Sequence, residues 1–120
     1  MYKMCIKPLE KISGFIAAAL VDIDMGYVLE RIGDDKIDLD IAADGNAEVL
    51  RAKRDVAASL VLDDEVEDIL IILHKSYHLI RPLKSNPSLF IYLALTRELT
   101  NLGLARRELE DFEEGLLDLS

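Results

Sequence analysis

Long apolar runs, paired cysteines, glycine-rich phosphate loops and an excess of basic residues are all missing from this chain. The longest apolar stretch, Phe15–Val21, falls far short of the ~20 residues a helix needs to cross a bilayer. The single cysteine, Cys5, cannot form an internal disulfide, and with no signal peptide the sequence reads as cytoplasmic. Nothing nearby in sequence supplies the base a nucleophilic thiol needs, so Cys5 reads as a partly buried structural residue. Neither GxxxxGK[ST] nor GxGxxG occurs, which excludes a glycine-rich phosphate cradle. Ser13, Ser59, Ser76 and Ser85 lack the setting of a nucleophile elbow. Against 23 acidic residues stand 14 lysines and arginines, a net charge of −9. That balance repels phosphate backbones and anionic lipid, so neither nucleic-acid binding nor membrane insertion is expected. The densest basic cluster, Arg51, Lys53 and Arg54, sits among acids.

The carboxylates make no recognisable site. Asp22-Ile23-Asp24-Met25-Gly26 starts like a calcium loop, but its glycine comes fifth instead of sixth and no glutamate closes twelve residues. His74 and His78 flank a turn without a cysteine or carboxylate nearby in sequence, a poor zinc set. No catalytic, cofactor-binding or metal-ligating residue is assigned, and the chain is not expected to be an enzyme.

What is present is a foldable domain. Of the 120 residues, 51% are apolar and 31% charged, a folded rather than disordered composition. Residues 1–120 suit one domain that buries roughly two thirds of its unfolded surface. Pro8 fits the first turn of a short helix, Pro8–Ile12, stopped by Gly14. Gly14–Ile23 is a continuous apolar run, which predicts a strand covered on both faces. Asp24-Met25-Gly26 is turn chemistry, and Tyr27–Ile32 returns as an antiparallel strand.

From Asp38, a suitable N-cap, to Leu60 the pattern is helical. Asp40, Asp44, Glu48, Arg51 and Asp55 share one narrow polar face. The remaining arc spans roughly 240°, whereas a single core contact needs little more than about 100°. One half of it, Ile41, Ala42, Val49, Ala52, Val56 and Leu60, is expected to face the sheet of this domain. The other half, Leu39, Ala43, Ala47, Leu50 and Ala57 with Asn46, Lys53 and Arg54, is expected to face another protein surface, such as the same helix of a second subunit. The alternative is a helix sunk deeper in its own core. Gly45 costs that helix about 1 kcal/mol relative to alanine.

An acidic loop, Asp63–Glu65, leads into the strand Val66–His74 and a turn at Lys75-Ser76. Tyr77–Leu83 pairs back as a hairpin, with Pro82 where the ladder stops. Leu89–Thr96 is a further strand, and a final helix runs from Glu98 to Leu117. Leu102, Ala105, Leu109, Phe112 and Leu116 form its apolar stripe. Early Arg106 and Arg107 followed by late acids oppose the helix dipole. The order αββαβββα predicts an α+β fold, a five-stranded antiparallel sheet with helices on both faces.

That order, with AALVDIDMGYVLERIGDDKIDL early and IYLALTRELTNLGLARREL late, resembles the roadblock family. These are small dynein-light-chain-like domains and include the bacterial MglB-like regulators of a Ras-like gliding GTPase. The resemblance covers Leu9–Leu117, and its signatures are structural rather than catalytic. It implies a profilin-like sheet and a dimer, of identical chains or with a paralogous roadblock protein. Long helices would pack antiparallel and the third strands would join two sheets. Carried onto this chain, the dimer interface would use Leu39, Ala43, Asn46, Ala47, Leu50, Lys53 and Ala57 with Ile69, Ile71 and Leu73. It further implies a small Ras-like GTPase as client, either stimulated in hydrolysis, by positioning of the GTPase's own catalytic groups, or recruited to a larger assembly. Arg51 and Arg54 are the candidates for an inserted arginine, and no GTPase-binding residue can be carried over. The short first helix with Pro8 departs from the family. Two other roles compete: a general scaffold subunit, and a sensor holding a small ligand between helix and sheet, in room left by Ala17–Ala19 and the alanines of the middle helix.

Overall fold

The computed structural model describes residues 5–118, with side chains as far as residue 115. Five strands, β1 (Phe15–Asp22), β2 (Tyr27–Gly33), β3 (Ile69–Ile72), β4 (Ser76–Pro82) and β5 (Leu89–Thr96), form one sheet in the order β2-β1-β5-β4-β3. Every neighbouring pair is antiparallel. Two long helices, α1 (Leu39–Ser59) and α2 (Leu102–Asp118), complete the α+β architecture.

Alternation along the strands sends side chains to two separate cores. On one face Ala18, Leu20, Leu79, Ile91, Leu93 and Leu95 pack with Leu9, Ala105 and Leu109. On the other, Ala17, Ala19, Val21, Ile80, Phe90 and Tyr92 pack with Leu39, Ala43, Ala47 and Leu50 of α1. β5 is central and is covered on both faces, so seven of its eight residues are buried. This is the burial that a continuous apolar strand demands.

Local chemistry sets the boundaries. The Asp38 side chain accepts from Asp40 N and Ile41 N, capping α1. Gly26, at φ +69°, closes the β1–β2 turn, and a Cβ there would lie 2.8 Å from Asp44 Oδ1. The turn is held further by Asp22 Oδ1, which accepts from Asp24 N and Met25 N.

Four details differ from the sequence-based expectation. The first helix is a 3-10 turn over Lys7–Lys11. Cys5 is exposed rather than partly buried. β3 spans four residues, because Val66–Asp68 leave the ladder and Asp68 instead joins an ion-pair network with Arg81 and Arg106. The final helix is broken: a 3-10 turn at Arg97–Leu99 ends at an extended Thr100, and Asn101 Oδ1 accepts from Leu104 N to open α2. Thr100 Oγ1, 2.6 Å from the Thr96 carbonyl and 3.0 Å from that of Ser13, fixes the break. The stripe residues Ala105, Leu109 and Phe112 pack into the core, Leu102 is half-buried, and Leu116 lies outside the described side chains.

Candidate protein-interaction surface

α1 lies over β1 and β2, so it covers only part of its face of the sheet. Ile69 and Ile71 of β3 share that face with His78 and Ile80 of β4, and of these four only Ile80 is fully buried. Beside this bare floor runs the outer side of α1, where Val49 is 41% exposed and Val56 47%. Between them lies a groove of about 640 Å³ lined by Val49, Ala52, Val56, Val66 and Ile69, with Lys53 and Glu65 at its rim. Among the described residues β3 pairs only with β4, so its other edge carries an open ladder. An uncovered apolar edge of this kind recruits another strand unless something shields it.

The two halves of the α1 arc are exchanged relative to expectation. Leu39, Ala43, Ala47 and Leu50, expected at a dimer interface, are buried against this chain's own sheet. They cannot form a surface between subunits. Of the other residues assigned to that face, Asn46 and Ala57 are half-buried and Lys53 is exposed. Conversely Ile41, Val49, Val56 and Leu60, expected inside, are exposed. The reason is fit: Ala43 and Ala47 meet Ala17, Ala19 and Ala94 in one buried cluster. Small against small lets the helix axis approach the sheet, with Leu39 and Leu50 filling the space along the helix. The signal for this was in the sequence, as alternate alanines of β1 opposite two alanines of α1.

From the strand half of the expected interface, Ile69 and Ile71 are half-buried on the floor, and Leu73, just past β3, is 45% exposed. Gly45 acquires a position but no internal cause. A Cβ there would meet nothing within 4 Å among the described residues, so their packing does not require glycine. Arg51 is not a free arginine: its Nη1 donates to the Ile23 carbonyl. Arg54 is half-buried and lines a different groove, with Leu62, Pro82 and Pro87.

The two histidines stand apart in role. His74 is exposed in the β3–β4 turn. His78 Nδ1 lies 3.2 Å from the Tyr92 hydroxyl and Nε2 lies 3.3 Å from Ser76 Oγ. The His78 and Tyr92 rings meet edge to face at 5.3 Å. Burial lowers the His78 pKa and pushes that of Tyr92 up to about 12. Among the described residues no group of three or more His, Cys, Asp or Glu side chains could hold a metal ion. Among them too, no helix is long and apolar enough to cross a membrane.

No family model and no curated protein matches this chain in sequence. Solved structures do match. Myxococcus xanthus MglB superimposes with a TM-score of 0.80 at 20% identity, over 93% of this chain and 88% of that one. The Roadblock/LC7 domain from Streptomyces avermitilis gives 0.79 at 14% identity, over 94% and 92%. A structure described as MglB with tetrameric arrangement gives 0.78 at 16% identity, over 92% and 81%. At such identities what is shared is the three-dimensional arrangement, here nearly end to end. The chain has the roadblock fold in its MglB-like form.

Proposed function

We propose that this protein is a non-catalytic, self-associating platform that regulates or recruits a small Ras-like GTPase. The observation that carries the self-association is the coincidence of three unpartnered features on one side: the outer stripe of α1, the bare floor of β3 and β4, and the open edge of β3. A second copy pairing at β3 would lay its own α1 over Ile69, Ile71 and Leu73, and the two outer stripes would meet. The interface residues are then Val49, Ala52 and Val56 in place of Leu39, Ala43, Ala47 and Leu50. Gly45 falls on the outer side of α1, where a close backbone approach from the partner gives a reason for its lost helix propensity. The tetrameric arrangement described for one MglB structure supports association through this fold.

The client is argued from the fold likeness to MglB together with the roadblock resemblance of the sequence. Engagement of Arg51 with the Ile23 carbonyl favours positioning of the GTPase's own groups over an inserted arginine. A general adaptor role rests on the same surface with a different client.

Light scattering tests the dimer. The wild type should show twice the chain mass at micromolar concentration, and Val56→Arg or Ile71→Asp should halve it with the circular dichroism unchanged. A monomeric wild type would remove the self-association. For the client, the protein serves as bait in its native lysate, followed by a hydrolysis assay with any GTPase recovered. Recovery of only other proteins would replace the GTPase with the adaptor role.

A further inference from the structure

Lys36, Lys75 and Arg97 line one cleft of about 1100 Å³ at the end of the sheet where β4 starts and β5 stops. They come from three separate places: the loop before α1, the β3–β4 turn and the 3-10 turn after β5. Among the described residues lining the cleft, Glu98 is the one carboxylate. A cationic cleft is unexpected in a chain of net charge −9.

These charges are not neutralised locally. Among the described residues neither Lys75 nor Arg97 has a carboxylate within 4.0 Å. Lys36 reaches Asp34 only at 3.9 Å, with both side chains exposed, a geometry worth little in water. Arg97 is held in place without losing its charge: Nη1 donates to the Leu73 carbonyl at 3.0 Å, and the guanidinium lies 5.3 Å from the Tyr77 ring centroid.

We propose that this cleft binds an extended acidic segment of a partner protein. Cations contributed by three separate elements suit a ligand that carries several carboxylates along its length. Ile16, Ile37 and Tyr77 in the same lining give apolar side chains between those carboxylates a place to pack. The strongly acidic remainder of the surface repels such a segment elsewhere, so the cleft sets where it lands. None of its lining residues belongs to the Val49–Val56 groove, and the cleft adjoins the self-association surface only at His78, on the floor of β3 and β4.

The probe is a fluorescein-labelled octaglutamate peptide, read by anisotropy against the full chain at about 50 mM salt, where screening is moderate. Lys75→Glu and Lys36→Glu should each weaken binding about tenfold. Arg107→Glu, the same charge change on exposed α2, should leave it within about twofold. Lys75 is exposed and its side chain makes no hydrogen bond among the described residues, and circular dichroism checks that the variant folds. No binding by the wild type overturns the proposal, and so does an equal loss with Arg107→Glu. Binding of diglutamate as tight as octaglutamate, or complete displacement by millimolar inorganic phosphate, overturns it in favour of a small-anion site.

Discussion

Arg81 Nε donates to Glu113 Oε1 at 2.7 Å with both side chains 3% exposed, which ties α2 to β4 through a buried ion pair. The pair does not stand alone. Asp68 Oδ2 lies 3.6 Å from Arg81 and its Oδ1 lies 2.8 Å from Arg106, while Lys84 N donates to Glu113 Oε2 at 2.6 Å. The network thus joins α2, β4 and the segment leading into the edge strand β3.

Removing one partner strands the other, so Arg81→Met should destabilise the fold by about 3–5 kcal/mol in urea denaturation. The double variant Arg81→Met/Glu113→Leu should recover most of that loss, because neither member of the buried pair is left stranded and Asp68 keeps Arg106. A double variant no more stable than Arg81→Met would show that the ion pair contributes more than its desolvation costs.

This network also shows where the sequence was legible and where it was not. Strand β5, from Leu89 to Thr96, was readable to the residue, because a strand covered on both faces leaves an unbroken apolar run. The charge order of α2 was readable but not interpretable. Arg106 early and Glu113 late looked like a misfit to the dipole, yet each answers a charge distant in sequence, on Asp68 and Arg81. Periodicity reports which residues share a face and is silent about what that face meets. The same limit explains the reversed faces of α1, since both halves of its arc were apolar enough to be core. Size complementarity across elements, Ala43 and Ala47 against Ala17 and Ala19, decided the matter.

The reversal makes a paired prediction on adjacent residues. Leu50 is fully buried and Val49 is 41% exposed. Leu50→Ala should cost about 2–5 kcal/mol of stability, measured by chemical denaturation. Val49→Ala should cost less than about 1 kcal/mol and act instead on dimer mass. Equal costs at the two positions would reject the orientation of α1 described above.

Val61, at φ +55° and 88% exposed, is the one non-glycine residue of positive φ among those described. It ends α1 in a Schellman arrangement, with Leu62 N donating to the Ala57 carbonyl at 3.1 Å and Val61 N to that of Ala58 at 3.0 Å. A β-branched residue there carries strain of about 1–2 kcal/mol that glycine avoids. Glycine loses more chain entropy on folding, so Val61→Gly should raise stability by a net of about 1 kcal/mol or somewhat less. Thermal denaturation of the variant measures it, and a lower melting temperature would assign Val61 a packing role.

His78 supplies the pH dependence. Burial lowers its pKa in the folded state from the ordinary value of 6.5, so between the two values the unfolded chain binds more protons than the folded one. Stability is therefore complete above about pH 7 and falls as pH drops through the ordinary histidine range, levelling off below the depressed folded value. The Tyr92 hydroxyl and Ser76 Oγ beside the ring hydrogen-bond the neutral imidazole without supplying a negative charge to hold a proton on it. Melting temperatures from pH 7.5 to 5.5 should accordingly decline in the wild type and decline less in His78→Gln. A nuclear magnetic resonance titration of the His78 ring should give a midpoint below 6.5. A midpoint above that value would mean that a carboxylate, from a partner or from this chain, approaches His78 in solution.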